Sequence, residues 1–318
     1  MEMDDFSWDD IEPCEISSAG TSGVEICNIQ YSDEYKLVMG YLIKLMSLKE
    51  YSERALILTD QVIKLVPAHY TIWQYRFDII KFLKKDILKE LEWCERVALE
   101  NQKNYQIWHY RQLLIELYIN NNGKFKPEFE YPLIDTMIGE DNKNYHVWAY
   151  RKWLVEKFNL YADQREIFFI NEMLTKDIRN NSAWNHRFFI FFNNNNKEIT
   201  KNLIKQEIEF TKNAIDLAPQ NPSPWNYLLG IYENEKFNLN LKDLEPFLLK
   251  YSNIEEELND GKIEPLIIST FSLEILAKIY QLNNLSEKSI KIYNLLADKY
   301  DPIRKNYWHY KRDNLISI

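Results

Sequence analysis

The sequence predicts an all-α fold, an α-solenoid (a crescent) of about seven stacked helical hairpins, on three observations. A short tryptophan-centred text recurs along the chain, glycine is scarce, and no segment of useful length alternates apolar and polar residues as a half-buried strand does. The recurrences are YTIWQYR at Trp73, YQIWHYR at Trp108, YHVWAYR at Trp148, NSAWNHR at Trp184, PSPWNYL at Trp225 and KNYWHYK at Trp308. These tryptophans stand 35, 40, 36 and 41 residues apart and then 83, which is close to two periods with a degenerate copy between. Three positions after the tryptophan a basic residue stands in five of the six copies, as Arg76, Arg111, Arg151, Arg187 and Lys311; the fifth copy has Leu228.

Taken in order, residues 1–30 are rich in Asp, Glu, Ser and Gly and are expected to form an acidic, partly disordered segment. Residues 31–318 are expected to form the repeat domain. In each copy the residue seven after the tryptophan (Ile80, Ile115, Val155, Phe191, Tyr232, Leu315) is apolar or aromatic, which puts two turns of one helix on one face. A second apolar row runs beside it, as in Ile107, Tyr110, Leu114 and Leu117, so this helix is covered on both sides, as inside a stack. Amphipathic partner helices are expected at Ala55–Val66 and Lys205–Leu217. Pro67 and Pro219, each six before a tryptophan, close the hairpin turn where a helix cannot easily continue. The runs Asn120–Gly123 and Asn193–Asn196 read as inter-helix loops, because asparagine competes for backbone hydrogen bonds.

Composition excludes several classes. There are 7 glycines in 318 residues, against about 7% in an ordinary chain; a Rossmann or P-loop enzyme needs glycine for its phosphate-cradling turn. The net charge of −9 repels phosphate backbones, so nucleic acid is not the expected partner. Cys14, Cys27 and Cys94 are odd in number and far apart, which supports neither a disulfide framework nor a zinc site. An acidic start, Met1-Glu2-Met3-Asp4-Asp5, predicts no secretory leader, no run is long enough to span a membrane, and a cytoplasmic protein is expected. HExxH, GxSxG, GxxxxGK and paired-carboxylate motifs are absent, and His109, His186 and His309 fall inside the repeat text.

Tryptophan and arginine at i, i+3 share one helix face. They recur in nearly every copy, whereas catalytic groups occur once, so Trp73/Arg76, Trp108/Arg111, Trp148/Arg151, Trp184/Arg187, Trp225 and Trp308 are read as architecture: Trp packs between hairpins and Arg bonds a carboxylate or carbonyl of the neighbouring unit. The loop before each second helix says more. Four before the tryptophan stand His69, Asn104, Asn144, Asn180, Asn221 and Arg304, and asparagine is a natural helix N-cap. Five before stand Ala68, Lys103, Lys143, Arg179, Gln220 and Ile303. Copies two to four therefore add a cation to the partial positive charge of a helix start. Spacing alone leaves two readings open, an anion-binding strip of Lys103, Lys143 and Arg179 or three solvated loop cations.

The segments NQKNYQIWHYRQ (101–112), DNKNYHVWAYRKWLVEKF (141–158), DIRNNSAWNHRFF (177–189) and IRKNYWHYKRD (303–313) closely resemble the alpha subunit shared by protein farnesyltransferase and protein geranylgeranyltransferase type I. The likeness starts at Trp8-Asp9-Asp10-Ile11-Glu12-Pro13 and covers nearly the whole chain. It implies a heterodimer in which this subunit wraps a beta subunit, with catalytic zinc held by the beta chain, no cofactor bound by this one, and magnesium as an optional companion of the diphosphate. It implies transfer of a farnesyl or geranylgeranyl group from its diphosphate to the cysteine of a C-terminal CaaX motif, on proteins such as small GTPases. By the same resemblance Lys103 contacts the diphosphate in catalysis, Tyr105 lies near it, and Asn144, Tyr145 and His146 line the diphosphate-facing surface. Gln106 is implied to bond the CaaX carboxylate. Two alternatives stand beside this one. The alpha subunit of Rab geranylgeranyltransferase shares the repeats, but the IRKNYWHY ending favours the CaaX enzymes. A non-catalytic helical-repeat adaptor of the tetratricopeptide kind would keep a 34-residue period rather than 35–41.

Overall fold

The computed structural model describes residues 5–16, 29–194, 199–252 and 267–316. Among these there are fifteen α-helices and no strand, and the chain divides into two compact units, Met1–Phe158 and Asn159–Ile318. In the first unit α1 (Asp33–Ser47) is followed by three hairpins: α2 (Glu53–Leu65) with α3 (Tyr70–Phe82), α4 (Ile87–Glu100) with α5 (Gln106–Asn122), and α6 (Tyr131–Glu140) with α7 (Tyr145–Phe158). In the second, α8 (Gln164–Lys176) pairs with α9 (Asn181–Phe192) and α10 (Lys201–Leu217) with α11 (Pro222–Tyr232). The sixth hairpin has short turns around α12 (Glu245–Leu248) as its first arm and α13 (Thr270–Leu282) as its second; α14 (Ser286–Leu295) and α15 (Lys305–Ile316) make the seventh. The degenerate copy inside the 83-residue gap is thus α13, with Leu273, fully buried, in the tryptophan's place.

Four first helices start on short polar caps that accept backbone N–H bonds: Ser52 from Ala55, Asp86 from Leu88 and Lys89, Asp163 from Arg165, Thr200 from Leu203. Several helices end in a left-handed residue, the position glycine usually takes. Here Lys49, Lys84 and Asn284 hold it, with φ of 54°, 52° and 60°. Gly123, at φ 89°, ends α5, and Asn120–Asn122 belong to that helix, not to a loop as their composition suggests. The hydrogen bonds of one more turn outweigh the weak helix propensity of asparagine. Asn193 and Asn194 do lie past the end of α9; Asn195 and Asn196 fall outside the described residues.

The described part of the N-terminal segment packs on the first hairpin region. Trp8 lies 4.8 Å, centroid to centroid, from Tyr41, Ile11 is buried, and Arg54 forks onto Asp10 at 2.7 and 2.9 Å. Cys14 N donates to Gly40 O at 3.1 Å. A Cβ on Gly40 would stand 2.5 Å from the Cys14 carbonyl oxygen, so only glycine admits this approach.

A repeated clamp holds successive hairpins together. A glutamate on a first helix, or just before one as Glu130 is, is buried and receives the arginine of the preceding hairpin and the tyrosine of its own second helix. Glu90 Oε1 accepts Arg76 Nε at 2.6 Å and Tyr110 OH at 2.7 Å, and its Oε2 accepts Arg76 Nη2 at 3.1 Å. Glu130 takes Arg111 in the same fork, and Tyr150 OH at 2.7 Å. Glu207 takes Arg187 at 2.7 and 2.6 Å, and Tyr227 OH at 2.5 Å. The remaining arginine nitrogen turns back to its own hairpin: Nη1 donates to Leu56 O for Arg76, to Leu91 O for Arg111 and to Asn171 Oδ1 for Arg187. Arg76 and Arg187 also stack on Trp93 and Phe210, each 3.6 Å from the ring centroid. Burial, then the adjacent carboxylate, pushes the Tyr110, Tyr150 and Tyr227 phenols well above their ordinary value, so each stays a donor.

The fifth copy shows why the arginine can be lost. Its Leu228 is fully buried, and the next hairpin opens not on a regular helix but on the short turns of 241–251. Trp225 packs there on Phe247 and Tyr251 at 6.0 and 5.8 Å, centroid to centroid.

Removing one member of a buried pair strands its counter-charge, which costs about 3–5 kcal/mol. Arg111→Met is expected to lower stability by that order in urea unfolding, and adding Glu130→Met to the same chain is expected to recover most of the loss.

Candidate functional site: the hairpin tips

Each of hairpins one to five turns on the same tip. The amide of the residue four before the tryptophan bonds the carbonyl three residues back: His69 to Val66, Asn104 to Asn101, Asn144 to Asp141, Asn180 to Asp177, Asn221 to Ala218. The indole N–H closes onto the carbonyl six residues before it, as Trp73 to Pro67 (2.8 Å), Trp148 to Asn142 (3.0 Å), Trp184 to Ile178 (2.8 Å) and Trp225 to Pro219 (2.8 Å). The asparagine works in two directions. Its Oδ1 caps its own helix, accepting Gln106 N at 2.8 Å for Asn104 and His146 N at 3.1 Å for Asn144. Its Nδ2 crosses to the preceding tip: Asn104 to Pro67 O, Asn144 to Gln102 O, Asn221 to Ile178 O. In α13 Ser269 takes over, its Oγ donating to Pro219 O at 2.8 Å. The seventh hairpin varies the motif, with the Trp308 indole donating to Asp301 Oδ2 at 2.9 Å.

Between these fixed atoms the residue five before the tryptophan faces solvent. Ala68, Lys103, Lys143, Arg179 and Gln220 are all exposed, and the Lys103 side chain is 71% so. Lys103 Nζ pairs with Asp141 Oδ2 across the second and third tips, and Gln102 Nε2 donates to Glu140 beside it. Asp141 Oδ1 also accepts Lys143 N at 3.1 Å; the Lys103 bond, then this backbone bond, holds the Asp141 carboxyl below its ordinary value. Of the three cations in the expected strip, Lys103 and Lys143 lie in the first unit and Arg179 in the second.

Tyr105 and Tyr145 are exposed and His146 is half-buried. The Tyr105 and His146 rings lie 6.1 Å apart, and Tyr145 meets His146 edge-on at 5.7 Å, so the three form one aromatic edge over the second and third tips. Tyr105 and Lys103 line an open depression of about 610 Å³ with Pro67, Ala68 and Asn104. Gln106 is buried and lines a second groove, of about 350 Å³, with Tyr70, Gln74 and His109. Asn144 is 2% exposed and its side chain is spent on the ladder. Sequence reasoning does not find Asp141 or Glu140: the only signal is an acidic pair one turn ahead of the KNYH text.

Among the described residues no group of three or more His, Cys, Asp or Glu could hold a metal. Burial pushes the Cys94 thiol up to about 12, which removes it as a nucleophile. No described helix is long and apolar enough to cross a membrane.

Tips of this kind, repeated from hairpin to hairpin with one side chain of each turned to solvent, define a helical-repeat protein that presents a polar edge. The protein prenyltransferase alpha subunit repeat matches at residues 52–83, 87–118, 127–158, 163–194 and 204–235, and the chain belongs to that family. It is 44% identical to the Candida albicans protein farnesyltransferase/geranylgeranyltransferase type-1 subunit alpha, covering 98% of each chain. Against the Dictyostelium discoideum subunit of the same description identity is 34%, over 97% of this chain and 92% of that one. The Saccharomyces cerevisiae geranylgeranyl transferase type-2 subunit alpha is more distant, 26% identical over 87% of this chain and 90% of its own. A chain of Candida albicans protein geranylgeranyltransferase-I complexed with GGPP superposes with a TM-score of 0.87 at 43% identity, covering 98% of this chain and 99% of that one. Within the family the chain therefore stands with the alpha subunits shared by farnesyltransferase and type-1 geranylgeranyltransferase.

Asn104→Ala removes both a helix cap and a cross-tip bond and is expected to cost about 1–2 kcal/mol in urea unfolding. Lys103→Ala, next to it but solvated, is expected to stay within about 0.5 kcal/mol of the parent in the same measurement.

Proposed function

We propose that this chain is the alpha subunit of a heterodimeric, cytoplasmic CaaX prenyltransferase. With a beta partner it transfers a farnesyl or geranylgeranyl group from its diphosphate to the cysteine of a C-terminal CaaX motif, on proteins such as small GTPases, and alone it turns over nothing. The observation that carries this reading is the second tip, where a rigid turn presents a solvated ammonium, Lys103, beside an open aromatic edge. The likeness to a chain of a solved GGPP complex supports it.

When the bond between the prenyl carbon and the diphosphate oxygen breaks, negative charge grows on the departing diphosphate. Lys103 Nζ, with three donors and a long stem, is the group on this chain suited to meet it. The neighbouring helix starts add partial positive charge, and Tyr105, Tyr145 and His146 shield the leaving group from water. Asn144 serves this surface from below by fixing the turn that carries Tyr145 and His146. Gln106 offers a side-chain amide donor to the carboxylate that ends the CaaX protein. Zinc, where the family carries it, would favour the substrate thiolate; the described residues of this chain do not fit a zinc site, so on this reading the partner holds it. Magnesium is an optional neighbour of the diphosphate.

A charge-assisted hydrogen bond is worth about 1.5–3 kcal/mol, so Lys103→Ala in the heterodimer is expected to slow the single-turnover rate by about 10- to 100-fold. Binding of the prenyl diphosphate should weaken far less; equal single-turnover rates for mutant and parent would remove the assignment. Gln106→Ala is expected to weaken CaaX peptide affinity while leaving prenyl diphosphate affinity unchanged, measured by titration of the same complex.

A further inference from the structure

Lys103 does not stand free in this structure. Its ammonium rests on Asp141 Oδ2, a carboxylate carried by the next hairpin. The two members differ in freedom. The Asp141 side chain is 29% exposed and that of Lys103 71%. Asp141 is held by Lys143 N at 3.1 Å. Its tip is bound to the Lys103 tip by Asn144 Nδ2 on Gln102 O at 2.8 Å and by Gln102 on Glu140. The carboxylate is therefore the fixed member, and the ammonium, on a four-carbon stem, the movable one. An anion arriving at this edge must draw Lys103 away from Asp141 before it gains the full charge.

We propose that Asp141 is a positioning residue for Lys103: it competes with the prenyl diphosphate for the ammonium, and so sets how much of that charge the bound substrate can use. Resting on the function proposed above, this assigns a regulating role at the same site to a residue that touches no reacting atom. An exposed ion pair is modest in strength, which suits a group that has to be released in every cycle.

The test is a double-mutant cycle in the heterodimer, reading prenyl diphosphate affinity by titration at low salt. Asp141→Asn keeps the oxygen that accepts Lys143 N, so the tip is preserved. It is expected to bind the diphosphate about two- to fivefold more tightly than the parent, with the CaaX peptide KM unchanged. In the Lys103→Ala background the same substitution is expected to change affinity by nothing measurable. Unchanged or weaker binding by Asp141→Asn, or an equal gain when Lys103 is already gone, would overturn the proposal. The cycle reads affinity alone, whereas the part of Lys103 in chemistry rests on the single-turnover rate of Lys103→Ala, so the two failures are told apart.

Discussion

A carboxylate buried between two hairpins must be satisfied from both sides, and that requirement fixes the phase of the stack. Glu90, Glu130 and Glu207 each take an arginine from the hairpin before and a tyrosine from their own. Slipping a second helix by one residue turns its side chains by about 100°, enough to carry the arginine off and leave an ion without its counter-charge. Apolar packing alone would tolerate several rotations; the ion tolerates one. Where the following hairpin offers no regular first helix the arginine disappears as well, as at Leu228. At the start of the repeats Tyr75 has no carboxylate to meet, and its hydroxyl goes to the Glu50 carbonyl.

With helix phase fixed, the tips come out nearly identical, and their backbone polar groups are consumed internally. One carbonyl, at Pro67, Ile178 or Pro219, serves both its own tryptophan and the cap residue of the next hairpin. The position five before the tryptophan is exposed in each of the first five copies, although Lys143 N and Arg179 N bond the aspartate two residues back and the Gln220 side chain reaches Ile268 O. It is the place where copies can differ without cost to the fold, and they do, running Ala68, Lys103, Lys143, Arg179, Gln220 and Ile303. On the proposed function Lys103 uses this exposed tip position, with the helix start beneath supplying a fixed partial charge.

The readable parts of the sequence were those with a period. The tryptophan text, the asparagine caps and the seven-residue apolar step carry the hairpins, and the leucine-bearing copy at α13 follows from the 83-residue gap. The clamp glutamates were not readable, because a carboxylate on an amphipathic helix, as Glu90 and Glu207 are, or at a helix start, as Glu130 is, looks like surface. Their distance from the arginine also varies, 14 residues from Arg76 to Glu90 but 19 from Arg111 to Glu130 and 20 from Arg187 to Glu207. The glycine count hid the left-handed helix ends, since Lys49, Lys84 and Asn284 accept a conformation that costs a side chain roughly 1–2 kcal/mol. At the site, spacing marks Lys103, Lys143 and Arg179 alike as cations on helix starts and only the family resemblance singles out Lys103, while nothing in the spacing marks Asp141. Pairing between hairpins is a tertiary fact with no fixed spacing to announce it.

A solvated lysine is a weak catalyst by itself. In water a unit charge at 4 Å is worth about 1 kcal/mol, and several times that where the surroundings exclude water. Lys103 at 71% exposure belongs to the first case, and the tyrosines beside it, Tyr105 and Tyr145, are 54% and 78% exposed. Aromatic rings held open along a rigid edge are surface that a partner can bury at small entropic cost, since the backbone beneath them is already ordered. On the proposed function the division between subunits follows from this physics. One chain would supply a charge on an internally hydrogen-bonded turn; the other would close over it, remove the water and so raise the strength of the interaction.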